Sequence, residues 1–127
     1  MKPRYTMKIV TDFAAAHLLR DYPGACSRLH GHNWKVEVQV SASSLDKVGM
    51  GIDFKDIKVA TKEVVDIMDH RFLNDLAPFD TINPTAENIA AHIYTTLAGM
   101  LNDERVQVAS VTIWETERAC VTYTEEA

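Results

Sequence analysis

The stretch CSRLHGHNWKVEVQV, Cys26 to Val40, decides the fold. Trp34, Val36, Val38 and Val40 alternate with Asn33, Lys35, Glu37 and Gln39. A period of two, with one apolar and one polar set, predicts a half-buried strand of an antiparallel sheet. His30 and His32 are in register with the apolar set, so they carry its inward row past the start of the strand. Upstream, YTMKIVTDF places Met7, Ile9 and Phe13 on one face of a first strand, and the same row reaches Ala15 and His17. Three imidazoles then come from neighbouring strand ends and aim at one side of the sheet. Gly31 keeps the backbone between the paired histidines free of a side chain.

Downstream, SLDKVGMGID is a turn-rich connector. Asp53 can cap a helix with Asp56 in its first turn, and Ile57, Ala60, Val64, Ile67 and Met68 give that helix an apolar stripe. APFDTINPT is a loop, and Thr85 is the expected N-cap of a second helix buried through Ile89, Ile93, Leu97, Met100 and Leu101. RVQVASVTIWE and ACVTYTEE are a third and a fourth strand, joined by a turn around Thr116 to Arg118. The order ββααββ predicts an α+β domain: a four-stranded antiparallel sheet with two helices on one face. The other face is left incompletely covered, which points to oligomerisation.

With 127 residues the chain holds one domain, residues 1–127. Hydrophobic content of 46% and charged content of 24% are those of a soluble globular protein. No apolar run matches a membrane span, and MKPRYTMKIV lacks a secretory core, so a cytoplasmic location is expected. Cys26 and Cys120, the two cysteines, are then expected to be reduced. A net charge of −5 with no basic stripe argues against nucleic acid.

Three histidine ligands with an open fourth position describe a catalytic zinc site, although imidazole also suits iron, copper and nickel. A metal there raises the acidity of a nearby thiol, so Cys26, four residues before His30, is a candidate base or nucleophile. A small buried hydrophobe is the other reading of Cys26. In MDHRFLND, read as the end of the first helix, Asp69 and His70 are either a carboxylate–imidazole relay or an ordinary helix C-terminus. Glu87 suits the helix dipole, and His92 and Cys120 read as structural. Glu115 in WETE either takes two N–H donors from a flat heterocycle or is a solvated strand end.

FAAAH, CSRLHGHNW, GIDFKDIK, MDHRFLND, NPTAENIA and WETE occur in this order over nearly the whole chain. The ordered set closely resembles the 6-pyruvoyltetrahydropterin synthase family. The Cys-x-x-x-His-Gly-His spacing resembles its bacterial branch, the 6-carboxy-5,6,7,8-tetrahydropterin synthases of queuosine biosynthesis. The resemblance implies a T-fold subunit whose trimers close into a barrel and stack as hexamers. It implies Zn2+ held by His17, His30 and His32, Cys26 as catalytic base, and Asp69 and His70 as its relay. It implies that Glu115 anchors the pterin ring, with Thr85 and Glu87 near it, in sites formed between subunits. The implied substrate is 7,8-dihydroneopterin triphosphate, converted to 6-carboxytetrahydropterin, acetaldehyde and triphosphate. Two alternatives stay open. One is a synthase that eliminates triphosphate and gives the pyruvoyl product. The other is a non-catalytic zinc-binding T-fold protein.

Overall fold

A computed structural model describes residues 1–126. Strand β1 (Tyr5–His17) pairs antiparallel with β2 (His30–Ala42) along its full length, from Tyr5 opposite Ala42 to His17 opposite His30. Helix α1 (Phe54–Asp66) follows, then a short strand β3 (Arg71–Phe72), helix α2 (Ala86–Leu101), β4 (Val106–Thr116) and β5 (Ala119–Tyr123). The sheet order is β3-β1-β2-β4-β5, so β3 is a fifth strand beyond the four expected. It is two residues long and runs parallel to β1 at Ala15 and Ala16. No helix among the described residues is long and apolar enough to cross a membrane.

The inward row of β2 (Trp34, Val36, Val38 and Val40) is fully buried, against Ile57 and Val64 of α1 and Ile89, Ile93 and Leu97 of α2. Burying that row against two amphipathic helices is the main stabilising event, at about 25 cal/mol per Å² of apolar surface. Both helices start as expected. The Asp53 carboxylate accepts the Lys55 N–H at 2.9 Å, and the Thr85 hydroxyl accepts the Asn88 N–H at 3.1 Å. The opposite sheet face is largely polar, with Lys8, Asp12, Lys35 and Glu37 beside exposed Val10.

Three expectations shift. Ile67 and Met100 lie outside the buried stripes and are exposed. Helix α1 stops at Asp66, so Asp69 and His70 lie beyond it, not at its end. His70 itself has φ +58, a left-handed conformation that no helix interior accepts. Cys120 is exposed on edge strand β5 and does not fill the core.

Candidate metal centre and active-site pocket

The β1–β2 register turns sequence parity into geometry. His17 is directly opposite His30, and Ala15 is opposite His32. The three rings therefore meet, with centroids 4.5 to 5.1 Å apart and steep mutual angles. Trp34 forms the floor, its indole meeting the edges of His17 and His32 at 4.9 and 5.0 Å. The indole N–H donates to the Ala15 carbonyl, which holds that floor against β1.

Two of the rings are oriented by carbonyl oxygens. Nδ1 of His17 lies 2.7 Å from the Pro84 carbonyl, and Nδ1 of His30 lies 2.7 Å from the Arg28 carbonyl. A carbonyl only accepts, so each Nδ1 carries the proton and each Nε2 presents a lone pair. Burial pushes the His17 and His32 imidazoles below their ordinary value of 6.5, which favours the neutral, ligating form. Nε2 of His17 and of His32 is buried with no hydrogen-bond partner among the described residues.

Glu115 completes the group. Its Oε1 lies 3.4 Å from Nε2 of His32 and 3.6 Å from Nε2 of His17. It arrives through a bulge: Trp114 pairs with Cys120 and Thr116 with Ala119, leaving Glu115 as the extra residue. Facing neutral imidazoles, this carboxylate forms no ion pair. Acceptor atoms converge, and one ligand atom from each of His17, His30, His32 and Glu115 lies within 4.8 Å of the others. Buried lone pairs of that kind call for a partner, and the set could hold a metal ion.

One cavity of about 490 Å³ opens beside this group, within the size range of small-molecule sites. His17, Cys26, Thr85, Glu87 and Glu115 all line it. Cys26 is exposed in the turn Ala25–Ser27 and is not a buried filler. Thr85 and Glu87 reach the cavity because the α2 N-terminus points at it. Cys120 also lines it, from the edge of β5.

Asp69 and His70 line other cavities, beside Ala14, Asn33 and Arg71. There they are clipped to β1. The Asp69 carboxylate accepts the Ala14 N–H at 2.9 Å, and the His70 N–H donates to the Ala14 carbonyl. The same Oδ1 of Asp69 lies 3.0 Å from Nδ1 of His70. The Ala14 N–H, and then the His70 ring, hold the Asp69 carboxyl below its usual range. His70 is thus an exposed imidazole on a strained, braced backbone, outside the cavity that Cys26 lines. The parts of this site that the sequence reading lacked are the Pro84 carbonyl, the Trp34 floor and the Glu115 bulge. Only an extra residue in the β4 alternation could have signalled the last.

The profile of the family described as 6-pyruvoyl tetrahydropterin synthase matches residues 6–126. The chain belongs to the 6-pyruvoyl tetrahydropterin synthase family. It is 35% identical to a 6-carboxy-5,6,7,8-tetrahydropterin synthase of Haemophilus influenzae, over 89% of this chain and 94% of that one. It is 40% identical to a putative enzyme of the same name from Archaeoglobus fulgidus, over 86% and 90% of the two chains. The solved 6-pyruvoyl tetrahydropterin synthase of Caenorhabditis elegans superposes with a TM-score of 0.84 at 28% identity, covering 98% of each chain. The α+β sheet-and-helix architecture described above is therefore the fold of this synthase family.

Proposed function

We propose that this protein is a zinc-dependent 6-carboxy-5,6,7,8-tetrahydropterin synthase acting on 7,8-dihydroneopterin triphosphate. One observation carries the reading: the imidazoles of His17, His30 and His32 converge beside a cavity that Cys26, Glu87 and Glu115 also line. The names of the curated relatives support the carboxypterin product, as does the short spacing from Cys26 to His30.

His17, His30 and His32 would hold the zinc. When bound, it supplies a Lewis acid that polarises oxygen substituents on the pterin side chain. Cys26 removes and returns protons at the side-chain carbons. His70 handles protons at Nε2, its other nitrogen being held by Asp69. Glu115 accepts two N–H donors from the pterin ring, and Thr85 and Glu87 shape the ring pocket. Arg20 lines the cavity with its guanidinium held by the carbonyls of Asn74, Phe79 and Ile82. Subunits associate through the open sheet edges as trimers paired into hexamers, and a neighbouring chain brings Asp69 and His70 to each Cys26.

The deciding experiment incubates zinc-loaded protein with 7,8-dihydroneopterin triphosphate and identifies the products by mass. Carboxytetrahydropterin with acetaldehyde is expected. A pyruvoyl product would shift the assignment to the other branch, which the likeness to the Caenorhabditis elegans enzyme keeps in view. No turnover by the zinc-loaded chain would leave a zinc-binding T-fold protein without catalysis.

A further inference from the structure

Beyond His17 the chain leaves the sheet and turns at Arg20, yet Leu18, Leu19 and Arg20 stay laced on both sides. The β1–β3 pairing covers only Ala15 and Ala16, so the next backbone groups need other partners. Asparagine side chains supply them. The Asn74 carboxamide accepts the Leu18 N–H and donates to the Leu18 carbonyl, both at 3.0 Å. The Asn83 carboxamide does the same at Arg20, accepting at 2.8 Å and donating at 2.9 Å. A primary carboxamide has the donor and acceptor of a peptide group, so each asparagine imitates one residue of a neighbouring strand. On the other side the Leu19 N–H donates to the Cys26 carbonyl at 2.8 Å.

Asn83 is the more consequential of the two. Pro84 follows it directly, and the Pro84 carbonyl orients His17. The backbone carbonyl of Asn83 accepts from the Thr85 N–H and from Nδ2 of Asn88, which fixes the turn carrying Thr85 and Glu87. Resting on the metal-centre reading above, we propose that Asn83 is a positioning residue that locks the metal ligand His17, the Cys26 turn and the Thr85–Glu87 turn into one register. Asn83 lines the cavity, but its carboxamide is spent on the Arg20 backbone. It acts by holding Pro84 where His17 Nδ1–H can donate, and so by aiming Nε2 at His30 and His32.

The test is zinc affinity, measured by chelator competition on the full chain without substrate. Asn83→Ala removes the hook. Asn83→Asp keeps its size and its acceptor, but turns an acceptor oxygen toward the Arg20 carbonyl. Both variants are expected to bind zinc about ten- to hundredfold more weakly than the parent, the range typical of losing an outer-shell partner. The cobalt-loaded variants are expected to show altered visible absorption bands. Negative charge alone would tighten zinc binding in Asn83→Asp, so weakening there reports geometry. Arg105→Ala is the stability control: it breaks bonds to the Ser44 and Gly51 carbonyls at the far end of β4. It is expected to lower thermal stability and leave zinc affinity within about twofold of the parent. Asn83 variants that bind zinc like the parent would overturn the proposal and leave the function reading intact. A parent chain that binds no zinc would overturn both. Altered affinity in a chain with no pterin turnover would uphold this inference and sink the enzymatic one.

Discussion

At Glu115 a carboxylate oxygen lies among imidazole nitrogens, yet three imidazoles already make a full protein ligand set for a catalytic metal. The two duties of Glu115, ligand and ring anchor, separate in Glu115→Gln. As an anchor, it is expected to lose one to two decades of kcat/KM, about the worth of one charge-assisted hydrogen bond, while keeping zinc content near that of the parent. Loss of zinc in that variant would make Glu115 a ligand instead. His70 gives a second residue-scale test. Its left-handed backbone costs roughly 1–2 kcal/mol, against roughly 0.5–1 kcal/mol of extra chain entropy for glycine. His70→Gly is therefore expected to melt no lower than the parent while losing turnover, and a marked fall in Tm would refute the strain argument. Proton linkage gives a third. Burial lowers the pKa of His17, His32 and His92, so just below pH 6.5 the unfolded chain binds more protons than the folded one. Stability then rises with pH. Chelator-treated protein should be fully stable above about pH 6.5 and progressively weaker on acidification toward pH 5, by urea titration. A flat profile would mean that those imidazoles are not held neutral by the fold.

At the scale of elements, strand parity was the most legible signal. Trp34, Val36, Val38 and Val40 announced their own burial, and the histidine faces followed because side-chain direction alternates without exception in an unbulged strand. Both helix starts were legible for the same local reason, a cap residue followed by an amphipathic run. What stayed hidden depends on contacts distant in sequence. Strand β3 forms because Asp69 and His70 grip Ala14, 55 residues upstream for the Asp69 bond, and no local pattern announces that. The true end of α1 is set by the same grip. Ile67 belongs to an apolar period that the helix no longer follows, and it is exposed. The α2 start can be weighed directly. Thr85→Ala removes the hydroxyl that accepts the Asn88 N–H, and is expected to cost about 1 kcal/mol in chemical denaturation. Because α2 opens at the cavity, the same change is expected to raise KM for the pterin. Lost stability with unchanged KM would confine Thr85 to capping.

At the scale of the whole molecule, the chemistry assigned to one reaction is split across the fold. Cys26 shares a cavity with His17 and Glu115, whereas His70 lines cavities with Asn33 and Arg71. A rotational assembly can close that separation, because the edge of one subunit meets the opposite edge of the next and each interface repeats the same junction. The strand order supplies two such edges, β3 beside His70 and β5 beside the Cys26 cavity. If the working site takes Cys26 from one chain and His70 from its neighbour, Cys26→Ala and His70→Ala chains are each inactive alone. Unfolded together and refolded as mixed oligomers, they rebuild intact junctions wherever a His70→Ala chain donates the thiol and a Cys26→Ala chain donates the imidazole. Random mixing places that combination at about a quarter of the junctions, so about a quarter of parental activity is expected to return. Simple mixing without refolding should restore none while the oligomers stay intact. Failure to recover activity from well-folded mixed oligomers would require both residues to act within one chain, or His70 to have no part in the reaction.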